Sequence, residues 1–122
     1  MRPPARLRFV VDVQALIFGS AAVAGNVAYI GSMNGRLSAI DLASGKLASE
    51  FRTDASTNDL LKVLTPAGSF DRSAMRPAFH KFMDMTVNLS KMYSVGSILS
   101  SPAIDHGALF VGSADGYLYA LH

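Results

Sequence analysis

Ser20-Ala-Ala-Val-Ala-Gly-Asn-Val-Ala-Tyr-Ile-Gly-Ser-Met-Asn-Gly-Arg-Leu-Ser-Ala-Ile40 decides the fold, because the chain repeats its pattern 81 residues later as Ser101-Pro-Ala-Ile-Asp-His-Gly-Ala-Leu-Phe-Val-Gly-Ser-Ala-Asp-Gly-Tyr-Leu-Tyr-Ala-Leu121. Ser20, Ala22, Gly31, Ser32, Gly35, Leu37 and Ala39 recur unchanged, and no gap interrupts the alignment. Val23/Ile104, Tyr29/Phe110, Ile30/Val111, Asn34/Asp115 and Ile40/Leu121 keep their character. Self-similarity at a fixed period marks stacked structural units, each needing a neighbour to bury its apolar face.

Each copy reads as an antiparallel meander. Val27–Ser32 and Ala108–Ser113 are rich in β-branched, aromatic and small residues, while Arg36–Ile40 and Tyr117–Leu121 alternate as two-faced strands do. Asn34-Gly35 and Asp115-Gly116 stand between them and predict two-residue hairpins of the primed type, which need positive φ at both central positions. A second turn lies upstream at Ala24-Gly25-Asn26 and Asp105-His106-Gly107. After Ile40, Asp41 can fold its carboxylate onto nearby N–H groups and Gly45 can supply positive φ, which turns the chain into a fourth strand over 47–52. The expected fold is therefore mainly β, with two four-stranded antiparallel blades. The leading strand is 7–13, the first blade 17–53, the insert 54–93, and the second blade 94–122. The second blade is one strand short, and the leading strand or a partner is expected to complete it.

The runs at 27–46 and 100–121 resemble the repeat of the pyrroloquinoline-quinone-like (quinoprotein-type) β-propellers, over roughly residues 7–53 and 94–122. The resemblance implies a single partial propeller domain of about two blades, the C-terminal part of a larger bacterial parent, with a periplasmic or extracytoplasmic address. It implies other blades or copies of itself as partners. The function expected from it is a non-enzymatic binding or scaffolding module. The alternative is a fragment of a quinoprotein-type oxidoreductase whose catalytic residues lie outside the chain. The family's pattern places Trp shortly after the Gly-Lys pair, where Ser49 stands here, and the chain has neither Trp nor Cys. Pyrroloquinoline quinone with calcium is thus not expected, and the cofactor expectation is none.

The insert carries a polar stretch with a short helical turn near 56–59, then a helix over about 73–92. Phe79, Phe82, Met83, Thr86, Leu89 and Met92 form its apolar stripe at three- and four-residue spacing. The plainer reading packs this stripe over the protein's own sheet; the other makes it a partner-docking surface or a lid.

Composition narrows the function classes. Eleven basic and nine acidic residues give a net charge of +2, with no basic stripe interleaved with aromatics, so no nucleic-acid surface is expected. No apolar run reaches the length of a membrane span. Met1–Arg8 is basic and Ala22-Val-Ala24 resembles a signal-peptidase site, but Asp12 and Gln14 break the apolar run and Ser20–Val23 belongs to the repeat. His80, His106 and His122 lack metal-ligand spacing, no Gly-x-Ser-x-Gly elbow occurs, and no paired carboxylates stand at helical spacing. No catalytic, cofactor-binding or metal-binding residue is expected. The residues singled out are the repeat turns Asn34, Gly35, Asp41, Gly45, Asp115 and Gly116.

Overall fold

A computed structural model describes residues 5–76 and 82–122. It contains two antiparallel sheets. The first has the order β1 (Ala22–Ala24), β2 (Val27–Gly31), β3 (Arg36–Asp41) and β4 (Leu47–Arg52). The second has the order β5 (Ala103–Asp105), β6 (Ala108–Gly112) and β7 (Leu118–Leu121). Between them lie a short helix α1 (Asp54–Asn58), a 3-10 turn (Arg72–Ala74) and helix α2 (Phe82–Tyr93). The mainly β, two-sheet expectation holds at this level. The first sheet is the four-stranded meander the sequence predicts, with a register shift in β3·β4 between Ala39 and Ile40.

The hairpin types differ from expectation. Ser32 N–H donates to Arg36 O at 3.0 Å and Gly35 N–H to Ser32 O at 3.1 Å, leaving a three-residue loop, Met33-Asn34-Gly35. Gly35 alone of the three takes positive φ (77°). The second copy repeats this, with Ser113 N–H to Tyr117 O and Gly116 N–H to Ser113 O, both 3.1 Å, and Gly116 at φ 89°. Three residues with a left-handed glycine at the third make the bulged hairpin instead of the two-residue primed one. The two-residue loops sit one hairpin upstream, where Ala24 faces Val27 and Asp105 faces Ala108. There His106 (φ 48°) and Gly107 (φ 77°) both take positive φ.

The copies meet face to face. Leu37 of β3 joins Ile98, Leu109 and Val111 in one buried cluster, with Tyr29, Phe51, Ile104, Tyr119 and Leu121 packed around it. Phe51 meets Tyr119 edge-on, ring centroids 5.1 Å apart. Ile98 seats on Gly31, where a Cβ would overlap its side chain, and its N–H donates to Ser32 O at 3.0 Å. Ser20 N–H donates to Ser101 Oγ at 2.8 Å, so equivalent serines 81 residues apart join the two copies where each begins.

Two expectations fail in detail. Residues 7–13 do not pair as a strand, and the second sheet keeps three strands. The segment instead lies along the first sheet. Phe9 packs against Gly45, Arg8 Nη2 donates to Leu42 O at 3.3 Å, and Val13 O accepts from Asn34 Nδ2 at 3.3 Å. The sequence alternation is real: Phe9, Val11, Val13 and Ala15 are partly buried and Val10, Asp12 and Gln14 exposed. The inner residues pack on the first sheet without ladder hydrogen bonds. In the insert, Arg72–Ala74 forms only a 3-10 turn and Met75 is extended (φ −99°, ψ 154°), so no continuous helix runs from 73. Residues 77–81, with Phe79 and His80, lie outside the described residues.

Helix α2 is anchored by its polar side. Asn88 is fully buried and clamps Arg76, accepting from its N–H at 2.8 Å and donating to its carbonyl at 3.1 Å. Lys91 Nζ donates to Ala74 O at 2.5 Å, and Asp84 pairs with Arg76 at 3.3 Å. Phe82, Met83 and Leu89 of the apolar stripe stay exposed. The stripe therefore does not pack over the sheet, because the helix uses its inward face to satisfy the backbone of Ala74 and Arg76.

Candidate functional site

The predicted turn residues do different jobs in the two copies. Asn34 is fully buried and joins four segments. Its Oδ1 accepts from Ser32 Oγ at 2.6 Å and Arg36 N–H at 3.3 Å. Its Nδ2 donates to Gly68 O at 2.9 Å and Val13 O at 3.3 Å, while its carbonyl accepts from Ser56 Oγ at 2.8 Å. All four hydrogen-bonding positions of the amide are thus in use. Gly35 is needed both for positive φ and because a Cβ there would collide with Val95 O.

Asp41 and Gly45 form the turn the sequence predicts. Asp41 Oδ2 accepts from Ser44 Oγ at 2.7 Å and Ser44 N–H at 3.2 Å, and Gly45 takes φ 72°. The Ser44 hydroxyl, first of all, holds the Asp41 carboxyl below its ordinary range.

Asp115 is only partly buried and serves as acceptor. Its Oδ1 takes Tyr117 N–H at 3.0 Å and its Oδ2 the Tyr119 hydroxyl at 2.6 Å. That hydroxyl in turn accepts from Asp54 N–H at 3.3 Å, tying the second sheet to α1. Burial, then the bond to Asp115, pushes the Tyr119 phenol up from 10.0 to about 12. The raised value belongs to the folded state, so the neutral phenol's contribution is whole below pH 10 and is lost as pH rises through about 12. Unfolding midpoints are therefore expected to fall between these pH values, and Tyr119→Phe should flatten that fall. An unchanged slope in Tyr119→Phe would refute the assignment.

Arg36 is 7% exposed, with Nη1 donating to Ala67 O at 3.2 Å and lying 3.7 Å from Glu50. Glu50 also holds Arg52 at 2.8 Å. Burial is the main cause lowering the Arg36 pKa, against the opposing pull of Glu50. Its guanidinium lies close against Gly68, which has no Cβ to obstruct it.

Two hollows belong to the sheet faces. A cleft of about 320 Å³ opens between the sheets, lined by Leu37, Phe51, Leu109 and Leu121, with Ser49 in its wall. A second hollow of about 330 Å³ lies on the far side of the second sheet, among Ser97, Leu99, Ser100, Gly112, Ser113 and Ala114.

The two copies differ most in what covers them. Leu37 is 3% exposed and its equivalent Leu118 is 72% exposed. Ile98 is fully buried and its equivalent Ile17 is 44% exposed. Sequence reading located the repeat but not this asymmetry, which emerges once the 81-residue offset is applied to the packing. No cluster of three His, Cys, Asp or Glu residues able to hold a metal exists among the described residues. His106 Nδ1 lies 2.7 Å from Oδ1 of its neighbour Asp105 on an exposed turn, and His122 lines the cleft. No helix of the described residues is long and apolar enough to cross a membrane. Comparison with family models and with curated proteins finds no match to this chain.

Proposed function

We propose that the chain is a β-propeller-type repeat segment that works as a non-enzymatic binding or scaffolding module, taking other blades or copies of itself as partners and using no cofactor. The observation that carries this is the β7 edge. In the first copy β4 pairs along β3, from Arg36↔Arg52 to Ile40↔Leu47. In the second, β7 ends its sheet with no strand beyond it among the described residues. Ser113 N–H bonds Tyr117 O, so Tyr119 and Leu121 face β6 with their backbone groups. By antiparallel alternation the N–H and C=O groups of Leu118 and Ala120 point outward. Such an edge is a template for a further strand, and β7 carries none of the Lys or Pro that blunts natural edges.

The first copy supplies a natural stand-in for the partner strand, namely β4. A labelled peptide of sequence Leu47–Arg52, extended by two residues at each end, is expected to bind saturably by fluorescence anisotropy. Ala120→Pro, which removes an outward N–H, should abolish binding without unfolding the first sheet. Absence of saturable binding, or full binding by Ala120→Pro, would count against the reading.

A further inference from the structure

We infer that a second copy of this chain docks head to tail, the Ile17 side chain of one copy seating on Gly112 of the next. This rests on the binding-module reading and specifies its partner.

The template is the contact the protein already makes within itself. Ile98 sits on Gly31, and its N–H reaches Ser32 O at 3.0 Å. Ile98 minus 81 is Ile17; Gly31 and Ser32 plus 81 are Gly112 and Ser113. The chain thus carries one filled knob and socket in its middle, with a spare knob at one end and a spare socket at the other.

Both spare parts are formed. Met33 N–H donates to Leu16 O at 2.8 Å, and Ala114 N–H donates to Ser97 O at 2.9 Å. This is the same bond 81 residues apart, so Ile17 is hung on its own sheet as Ile98 is on its sheet. The socket is the 330 Å³ hollow bounded by Gly112, Ser113 and Leu99. A Cβ on Gly31 would overlap Ile98, whereas one on Gly112 would meet only Ser100 Oγ, at 3.8 Å. Around the spare parts, Val23 is exposed on the knob side, and Leu118, the cross-strand partner of Gly112, is exposed beside the socket. Residues 8–14 run past Leu42, Gly45, Arg36 and Ser38, and leave the Ile17 and Val23 end of the first sheet open.

A contact between two different surfaces builds a ring where its rotation closes and an open filament where it does not. With two blades per chain, closure at four to eight blades takes roughly two to four copies.

The test uses the full chain and sedimentation equilibrium. Wild type is expected as a discrete assembly of about two to four copies. Ile17→Asp removes the knob and keeps the socket; Gly112→Val fills the socket and keeps the knob. Each alone should weaken association on the order of tenfold or more, since burial of one aliphatic side chain is at stake. Mixed together, they retain one knob and one socket, and a one-to-one heterodimer is expected. Circular dichroism identical to wild type establishes that both variants fold, and if Gly112→Val does not, Leu99→Asp at the socket wall replaces it. A monomeric wild type overturns the inference, as does an assembly that survives both variants. The latter would leave the binding-module reading standing on another surface, and the β4 peptide experiment decides that reading independently.

Discussion

Asn34→Asp is expected to remove on the order of 3–5 kcal/mol of folding stability, a large share of the 5–15 kcal/mol typical of a domain. The substitution copies what the second repeat carries at the same place, yet the two sites are opposites. Asn34 is fully buried and donates to the carbonyls of Gly68 and Val13. A carboxylate there offers no donor and sets negative oxygen against two carbonyl oxygens in a site without solvent. Asp115 only accepts, from Tyr117 N–H and the Tyr119 hydroxyl. Asp115→Asn keeps an acceptor oxygen and should cost about 1 kcal/mol or less. Thermal unfolding of the two reciprocal variants measures this asymmetry directly. The Asn34→Asp deficit should also narrow in acid. A neutral carboxyl regains one donor, so the raised pKa of the buried group yields stability at low pH that is lost as pH rises. Equal losses in the two variants would refute the account of Asn34 as a buried donor.

Ile98→Ala should cost about 3–5 kcal/mol, because it opens a cavity where both sheets share their core. Ile98 is fully buried against Leu37, Leu109 and Val111, so neither sheet can collapse into the space without leaving the other. Gly31→Ala attacks the contact from the opposite side. Its Cβ would come within 2.9 Å of the Ile98 Cβ, and overpacking of this kind costs about 1–3 kcal/mol. Combined, Gly31→Ala and Ile98→Ala should be less harmful than the sum of the two, since the smaller side chain relieves the clash. Denaturant melts under dilution that separates copies check this. The equivalent changes Ile17→Ala and Gly112→Ala, at uncovered positions, should shift those midpoints little.

The repeat made much of this legible in the sequence. Strand positions, the Asp41/Gly45 turn and the glycines of both hairpins follow from alternation and turn chemistry that depend on near neighbours. The loop type of the two hairpins did not, because a left-handed glycine serves the three-residue bulged loop as well as the two-residue primed one, and the partners of the Asn34 amide did not, because Gly68 and Val13 are distant in sequence. Residues 7–13 have a strand's alternation, but alternation reports which side is buried and not whether a ladder forms; here the inner residues rest on a sheet face. The stripe of α2 was visible while its orientation was not. One buried residue, Asn88, decides it, since an amide bonded twice to Arg76 turns the helix by its polar side. The exposure of Leu118 beside the burial of Leu37 was hidden for a different reason. Identical residues in identical strands read alike, and only the position of a neighbour separates them.

The joints between the copies also determine when the chain can fold. The hairpin at Asn34 is finished by Gly68, its Met33 carbonyl by Ser97 Oγ, and its Ser32 carbonyl by Ile98 N–H. Thr53 Oγ1 donates to Val95 O. Each closes a long stretch of chain before its contact energy is gained, and such distant pairings slow folding. A ribosome that has released only the first meander has therefore released an unfinished object. Its turn stays unsealed until residues 95–98 emerge, and the later copy locks the earlier one.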